Sequence, residues 1–333
     1  MAASAGAVLV VGAQGSLGSA IAQTFENEGW EVLRGGRRPD GQPGFRLVDL
    51  DRPETLESAI AGMDVVVDPV PHPGLTAERA VLREGGILID VSMRPAAAGR
   101  LLRQEADDPR GTVVLNAGRT PGVSNLVVAE LLQAHPEADE VEMAFSFNAS
   151  GVSGRAAGEN LHRYLTSAAQ HGTAVIPFPS PVGPTRCLRF AESEEGWLSG
   201  LARHRAVSTY ARFSPAGLNR LLLVANALRL MSTLPLAAFI PRRVRPPGEL
   251  STEPLLEWIA VLRNGQRLAA STITGHGNYR VTASATLALA ETLTNPAHRD
   301  RLHRGCLDPQ DFFTLAELRA RLQQGGLLVD RVV

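Results

Sequence analysis

The chain has 333 residues, enough for two lobes of roughly 150 residues each. Its 33 basic and 34 acidic residues leave a net charge of −1, so no broad basic footprint for nucleic acid is expected. Every basic residue is Arg and none is Lys, which excludes a lysine Schiff base, a phosphate-loop lysine and a Tyr-x-x-x-Lys pair.

The only cysteines, Cys187 and Cys306, make no disulfide framework. The N-terminus has no basic leader and passes directly into an apolar run, so no signal peptide is expected and a cytoplasmic location follows. That run, residues 7–11, suits a buried parallel strand. It stops at Gly12-Ala13-Gln14-Gly15-Ser16-Leu17-Gly18, and residues 19–27 then read as a helix with Ala20, Ile21 and Phe25 on one face. Residues 30–33 read as a second strand.

A glycine turn between a strand and a helix, in a unit of about 30 residues, is the setting of a dinucleotide diphosphate site. Gly12 permits the turn, Gly15 lets the backbone approach the phosphates, and Gly18 lets the helix pack on the strand. Gln14, Ser16 and Leu17 complete the expected cradle at the helix N-terminus. The second strand runs into Arg34-Gly35-Gly36-Arg37-Arg38, with no acid where a ribose 2′-hydroxyl would be read. Guanidinium groups suit a 2′-phosphate, so NADP(H) is the expected cofactor, with Arg37 its first partner and Arg34 or Arg38 the second.

Strands are predicted over 45–48, 63–67, 86–91 and 112–115, and helices over 53–61, 75–84 and 96–106. This alternation predicts an α/β fold, a Rossmann-type doubly wound parallel sheet whose ligands sit beyond the strand C-termini. Asp49 and Leu50 would close the adenine pocket. Pro69, Val70 and Pro71 after strand four, Ser92 and Met93 after strand five, and Gly118 after strand six would line the rest of the cofactor.

Four segments resemble the saccharopine dehydrogenase (saccharopine reductase-like) family of NADP-dependent reductases. They are Val11–Gly18, Asp68-Pro69-Val70-Pro71-His72, Asp90-Val91-Ser92, and above all Asn116-Ala117-Gly118-Arg119-Thr120-Pro121-Gly122-Val123-Ser124-Asn125-Leu126. A weaker match is the stretch from Gly275 to Ala283. The resemblance implies hydride transfer between NADPH and a carbon–nitrogen double bond. It also implies a nucleotide-binding lobe to which the C-terminal helices return. Thr120 stands where that family usually carries an acid, and Ser124 and Asn125 where it often shows an acid and a His. The implied substrate is therefore less charged than an amino-dicarboxylate.

The expected domains are a Rossmann domain over 1–125, an α/β substrate and dimerisation domain over 126–285, and returning helices over 286–333. In the second domain, residues 139–147 alternate like a half-buried strand, and a glycine-rich stretch precedes a predicted helix over 156–170. The proline-rich segment 174–184 reads as extended surface chain, and 205–213 as a strand. Two more strands, 257–264 and 267–276, flank Asn264-Gly265, a strong hairpin signal. The apolar stretch 218–241 is too interrupted by Asn226, Arg229 and Pro235 to span a membrane. It suits a packed or dimer-interface helix, with a membrane-surface helix or the roof of a substrate pocket as alternatives.

Hydride transfer needs a proton donor, and without lysine the choice narrows. His72, at the end of strand four, is the first candidate. Ser92, one strand over, would touch the nicotinamide or the substrate; Asn116 and Arg119 stand at the expected lobe junction, where Arg119 could anchor a carboxylate bidentately. From the second lobe come Tyr164 with His162, and His276 with Tyr279. His298, His303 and Cys306 lack a fourth ligand, so no metal is expected. The resulting expectation is an NADPH-dependent imine reductase of biosynthetic secondary metabolism, acting on a small molecule as a homodimer. The alternatives are a C=O or C=C reductase and a non-catalytic NADP(H)-sensing regulator.

Overall fold

The computed structural model describes residues 6–39, 41, 43–148, 172–190, 198, 200–201, 204–231 and 253–332. The chain forms two units. The first takes in Met1–Leu126 and Tyr279–Leu327; the second takes in Val127–Arg245, Ser251–Asn278 and Leu328–Val333.

The first unit alternates strand and helix: β1 (Ala7–Val10), α1 (Ser16–Asn27), β2 (Glu31–Gly36), β3 (Phe45–Leu47), α2 (Pro53–Ile60), β4 (Val65–Asp68), α3 (Thr76–Glu84), β5 (Ile87–Asp90), α4 (Ala96–Glu105) and β6 (Thr112–Val114). The central strands are almost wholly apolar because helices cover both faces. Leu9, Val66, Leu88 and Val113 share one core with Leu56, Val81 and Leu102 of the helices. α1 starts at Ser16, a turn earlier than the periodicity predicts, because Gly15 serves as its N-cap and no loop separates turn from helix. The helix α5 (Val123–Ala134) then carries the chain into the second unit.

The second unit holds β7 (Glu140–Asn148), β8 (Thr173–Pro177), β9 (Pro184–Phe190), β10 (Ala206–Ser214), α6 (Ala216–Ala227), β11 (Pro254–Arg263) and β12 (Gln266–His276). β7 and β10 run parallel, and the other neighbours are antiparallel. Asn264 and Gly265 both have positive φ, 52° and 74°, as the tight turn between β11 and β12 requires. The segment expected as extended surface chain is instead an edge hairpin, β8 with β9. Its register runs from Thr173–Leu188 to Pro177–Pro184, so two prolines fall at the strand ends, where a missing N–H costs little. Trp258 is the largest fully buried side chain here; its Nε1 donates to Glu142 Oε1 at 3.1 Å. Of the apolar stretch from residue 218, Leu222 and Ala225 of α6 are buried while Leu221, Val224 and Leu228 are exposed. Residues 232–241, and the predicted helix over 156–170, lie outside the described residues.

The chain then returns to the first unit through α7 (Asn278–Thr294), β13 (Gly305–Leu307), α8 (Pro309–Phe312) and α9 (Leu315–Gln324), and ends in β14 (Leu328–Val332). β13 adds a seventh strand beside β6, giving an all-parallel sheet of order β13-β6-β5-β4-β1-β2-β3. β14 joins β12, so the second sheet has the order β14-β12-β11-β7-β10-β9-β8. No described helix is long and apolar enough to cross a membrane.

Candidate functional site

In the first sheet, chain order reverses between β1 and β4, the point beyond whose strand C-termini ligands of doubly wound sheets bind. Val11 N–H donates to Val67 C=O (2.9 Å) and Ala13 N–H to Gly35 C=O (3.0 Å), which fixes the glycine turn against both neighbouring strands. Gly12 has φ +64°, and a Cβ on it would collide with the Val70 side chain. No side chain caps α1, so the N–H groups of Ser16, Leu17 and Gly18 keep the free donors of a first helical turn, with the positive end of the helix dipole behind them. Gln14 bridges to the end of β2, its Nε2 donating to Arg38 C=O at 2.9 Å.

The three arginines in and after β2 part ways. Arg34 lies within β2 and its guanidinium pairs with Glu26 of α1, Nη2 to Oε1 at 2.8 Å. This ion pair with α1 holds the Arg34 guanidinium beside the strand. Arg37 and Arg38 are exposed beyond the strand end. Beyond β3, Asp49 N–H donates to Thr55 Oγ1 (2.9 Å), and buried Leu50 accepts Thr76 Oγ1 on its carbonyl (2.8 Å).

Beyond β4, Val70 N–H donates to Asp68 Oδ1 at 2.9 Å, which curls Pro69–Pro71 over the turn. His72 follows. Its Nδ1 accepts Gly74 N–H at 3.1 Å, so the ring proton sits on Nε2, which donates to Asp51 Oδ1 at 3.0 Å. Both ring nitrogens are thus engaged, Nδ1 within the loop and Nε2 with Asp51 after β3, so the ring ties the two segments together.

Beyond β5, Asp90 Oδ1 accepts Ser92 N–H (2.6 Å) and Oδ2 accepts Arg94 Nε–H (2.7 Å). Met93, between them, has φ +61° and is exposed. Arg94 Nη1 donates to His72 C=O, and Arg94 C=O accepts Asn116 Nδ2 at 3.0 Å. Arg94 Nε is also 2.7 Å from Glu78 Oε1, yet its single N–H is spent on Asp90, and Glu78 makes no hydrogen bond to it. Asp68, Asp90 and Glu78 are all fully buried around this one cation. Burial, then the charge of Asp90, lifts Asp68 to about 7 and Glu78 to about 8. The sequence did carry a signal for this cluster. β4 and β5 both read as three apolar residues and an Asp, and those Asp residues are register partners.

Beyond β6, Asn116 has φ +55° and Gly118 begins a closed loop, its N–H donating to Pro121 C=O at 3.0 Å and its C=O accepting Val123 N–H at 3.1 Å. Burial lowers the Arg119 guanidinium to about 9, so it stays cationic at neutral pH. The first unit therefore gathers the glycine turn, Arg37, Arg38, Asp49, Leu50, Pro69–His72, Ser92, Met93, Asn116, Gly118 and Arg119 on the C-terminal side of one sheet. His276 lies in the second unit, at the exposed end of β12, while Tyr279 belongs to the first. Tyr164 and His162 fall outside the described residues. Among those residues no group of His, Cys, Asp and Glu side chains could hold a metal ion; Cys306 is buried in β13.

The family described as NAD dependent epimerase/dehydratase matches residues 8–82, the stretch from β1 to α3. No curated protein matches the chain in sequence. Among solved structures, saccharopine dehydrogenase (L-Glu forming) from Saccharomyces cerevisiae matches at 13% identity and a TM-score of 0.61, covering 98% of this chain and 100% of that one. The DAP dehydrogenase of C. glutamicum matches at 14% identity and a TM-score of 0.49, covering 96% and 99%. The chain has the fold of saccharopine dehydrogenase, a doubly wound parallel unit followed by a mixed-sheet unit.

Proposed function

We propose that the chain is an NADP(H)-dependent oxidoreductase that reduces the C=N bond, imine or iminium, of a small metabolite. The carrying observation is the uncapped N-terminus of α1 behind a glycine turn, at the point where strand order reverses. The match of residues 8–82 to a family described as NAD dependent supports the cofactor class. Arg37 and Arg38, exposed beyond the end of β2, support the phosphorylated form.

Gly12, Gln14, Gly15, Ser16, Leu17 and Gly18 would hold the diphosphate, and Asp49 and Leu50 would flank the adenine. Pro69, Val70, Pro71, Met93 and Gly118 would border the nicotinamide half. Ser92 Oγ and Asn116 Oδ1 are buried and make no hydrogen bond among the described residues. One offers a donor and the other an acceptor, which is what the oxygen and NH₂ of a carboxamide need. The residues present therefore fit the cofactor, which when bound supplies the hydride. Arg119 would anchor an anionic group of the substrate. With no lysine and with His72 already bonded at both ring nitrogens, the proton for the substrate nitrogen would come through water or from Tyr164 or His276. The exposed apolar side chains of α6 support a homodimer.

The C=N assignment rests on the loop Asn116–Leu126 and on the fold shared with saccharopine dehydrogenase. Fluorescence titration with NADPH and NADH, followed by NADPH consumption with panels of imines, enones and ketones, tests both parts. Tighter NADH binding removes the NADP(H) assignment. Turnover confined to ketones or enones removes the C=N assignment, and binding without turnover on any panel favours a redox-sensing protein.

A further inference from the structure

We propose that Arg94 is a positioning residue for the nicotinamide end of the cofactor, holding the loops after β4, β5 and β6 as one piece. The proposal deepens the dinucleotide reading above and rests on it. Arg94 touches all three loops. It donates to the His72 carbonyl after β4 and to the Asp90 carboxylate at the end of β5, and it receives Asn116 Nδ2 on its own carbonyl from the segment after β6. Ala117 N–H adds a fourth tie by donating to Asp90 C=O at 2.8 Å.

Asp90 closes the turn from its other side. One carboxylate oxygen holds Ser92 N–H and the other holds Arg94, so the residue between them has little freedom. That residue is Met93, in the left-handed region with its side chain exposed at the strand ends. A non-glycine residue at positive φ costs about 1–2 kcal/mol and persists only where its surroundings impose it. Asn116 is also left-handed, a conformation asparagine tolerates better, and is tied to the same arginine. Two left-handed residues beside one buried cation, on the ligand side of the sheet, mark a shape kept for a bound group.

The choice of arginine follows from geometry. A planar fork serves a carboxylate and a carbonyl in different directions at once, which an ammonium on a flexible stem does not. Its charge is balanced within the cluster. Asp68, Asp90 and Glu78 face it, with His72, Arg79 and Cys306 nearby. Burial keeps protons on Glu78 and, in part, on Asp68 at neutral pH.

The test compares NADPH with 2′,5′-ADP, which carries the adenosine end alone. Arg94→Lys is expected to weaken NADPH by roughly tenfold, about 1.4 kcal/mol, and to leave 2′,5′-ADP within about twofold of wild type. An unchanged NADPH affinity, or an equal loss for both ligands, overturns the proposal. Wild-type protein that binds neither ligand overturns the cofactor reading itself, which separates the two failures. Should the variant not fold, hydrogen exchange on the wild type decides. NADPH must slow the amides of Val70, His72, Gly74 and residues 92–94 beyond what 2′,5′-ADP does, and equal protection by both overturns the proposal.

Discussion

Gly18 faces the carbonyl oxygen of Gly12 so closely that a Cβ on Gly18 would overlap it, and would stand only 3.0 Å from the Ala13 Cα. The obstacle is backbone, so no side chain can swing away. Gly18→Ala must therefore push the first turn of α1 off the end of β1. The displaced atoms are the N–H groups of Ser16 to Gly18, the donors assigned to the diphosphate. The expected outcome is a loss of about 1–3 kcal/mol in stability together with at least a tenfold loss of NADPH affinity. Thermal melting and fluorescence titration of one preparation measure both, and unchanged affinity in a destabilised variant would separate the turn from the ligand.

The arginines of β2 give a sharper contrast. Arg34 is spent on Glu26, whereas Arg37 and Arg38 extend past the strand end. Arg37→Asp should weaken NADPH by roughly tenfold or more while NADH changes little, because only NADPH brings a second anion to that edge. Arg34→Ala should leave the NADPH to NADH ratio alone and cost at most about 1 kcal/mol of stability, the usual worth of a partly exposed pair. A reversed pattern in the two titrations would return the phosphate-binding role to Arg34.

The doubly wound half of the fold was legible because its strands are buried on both faces, and short β-branched runs between glycines and helices have few other solutions. The hairpin at Asn264-Gly265 was legible for the same local reason, since its positive φ values demand those residues. β13 was not legible. Gly305-Cys306-Leu307 is too short to show any period, and only its place beside Thr112–Val114 makes it a strand. The β8–β9 hairpin was hidden because prolines argue against strands until their positions at the ladder ends are known. At the site, the glycine turn is a local pattern and could be read directly. The Arg94 cluster joins residues from Asp68 to Asn116 across three strand ends, so its members meet only once the sheet exists. The partners of Arg34 and His72, Glu26 and Asp51, were not legible, because they lie on other elements that meet these side chains only in the folded chain.

Glu78 gives the fold a pH dependence with a definite sign. Its folded pKa of about 8 lies above the ordinary carboxylate value of 4.5, with burial the larger cause and the charge of Asp90 the next. Between these values the folded state holds a proton that the unfolded state has released, so stability falls as pH rises through this window. Asp68, raised to about 7, acts in the same direction. Glu78→Gln keeps the shape and removes the titration. Its melting temperature should equal that of wild type near pH 5 and exceed it by roughly 3 °C or more near pH 8.5. A constant difference across the range would mean that Glu78 is not the titrating group.

His72 separates a structural from a chemical role. With Nδ1 accepting from Gly74 and Nε2 donating to exposed Asp51, the ring links the loop after β4 to the segment after β3. An asparagine can place its Oδ1 where Nδ1 now accepts, so His72→Asn keeps the inner of the two bonds. It loses only the bond to a carboxylate that is 74% exposed, an interaction of small energy. A histidine acting as general acid contributes typically 10²–10⁴-fold to rate, so its removal would leave almost no turnover. His72→Asn is expected instead to keep kcat within about threefold and to raise KM for NADPH modestly, since the loop borders the cofactor. His72→Ala, which loses both bonds, should raise KM further at similar kcat. A collapse of kcat in both variants with KM unchanged would restore the imidazole to the chemistry.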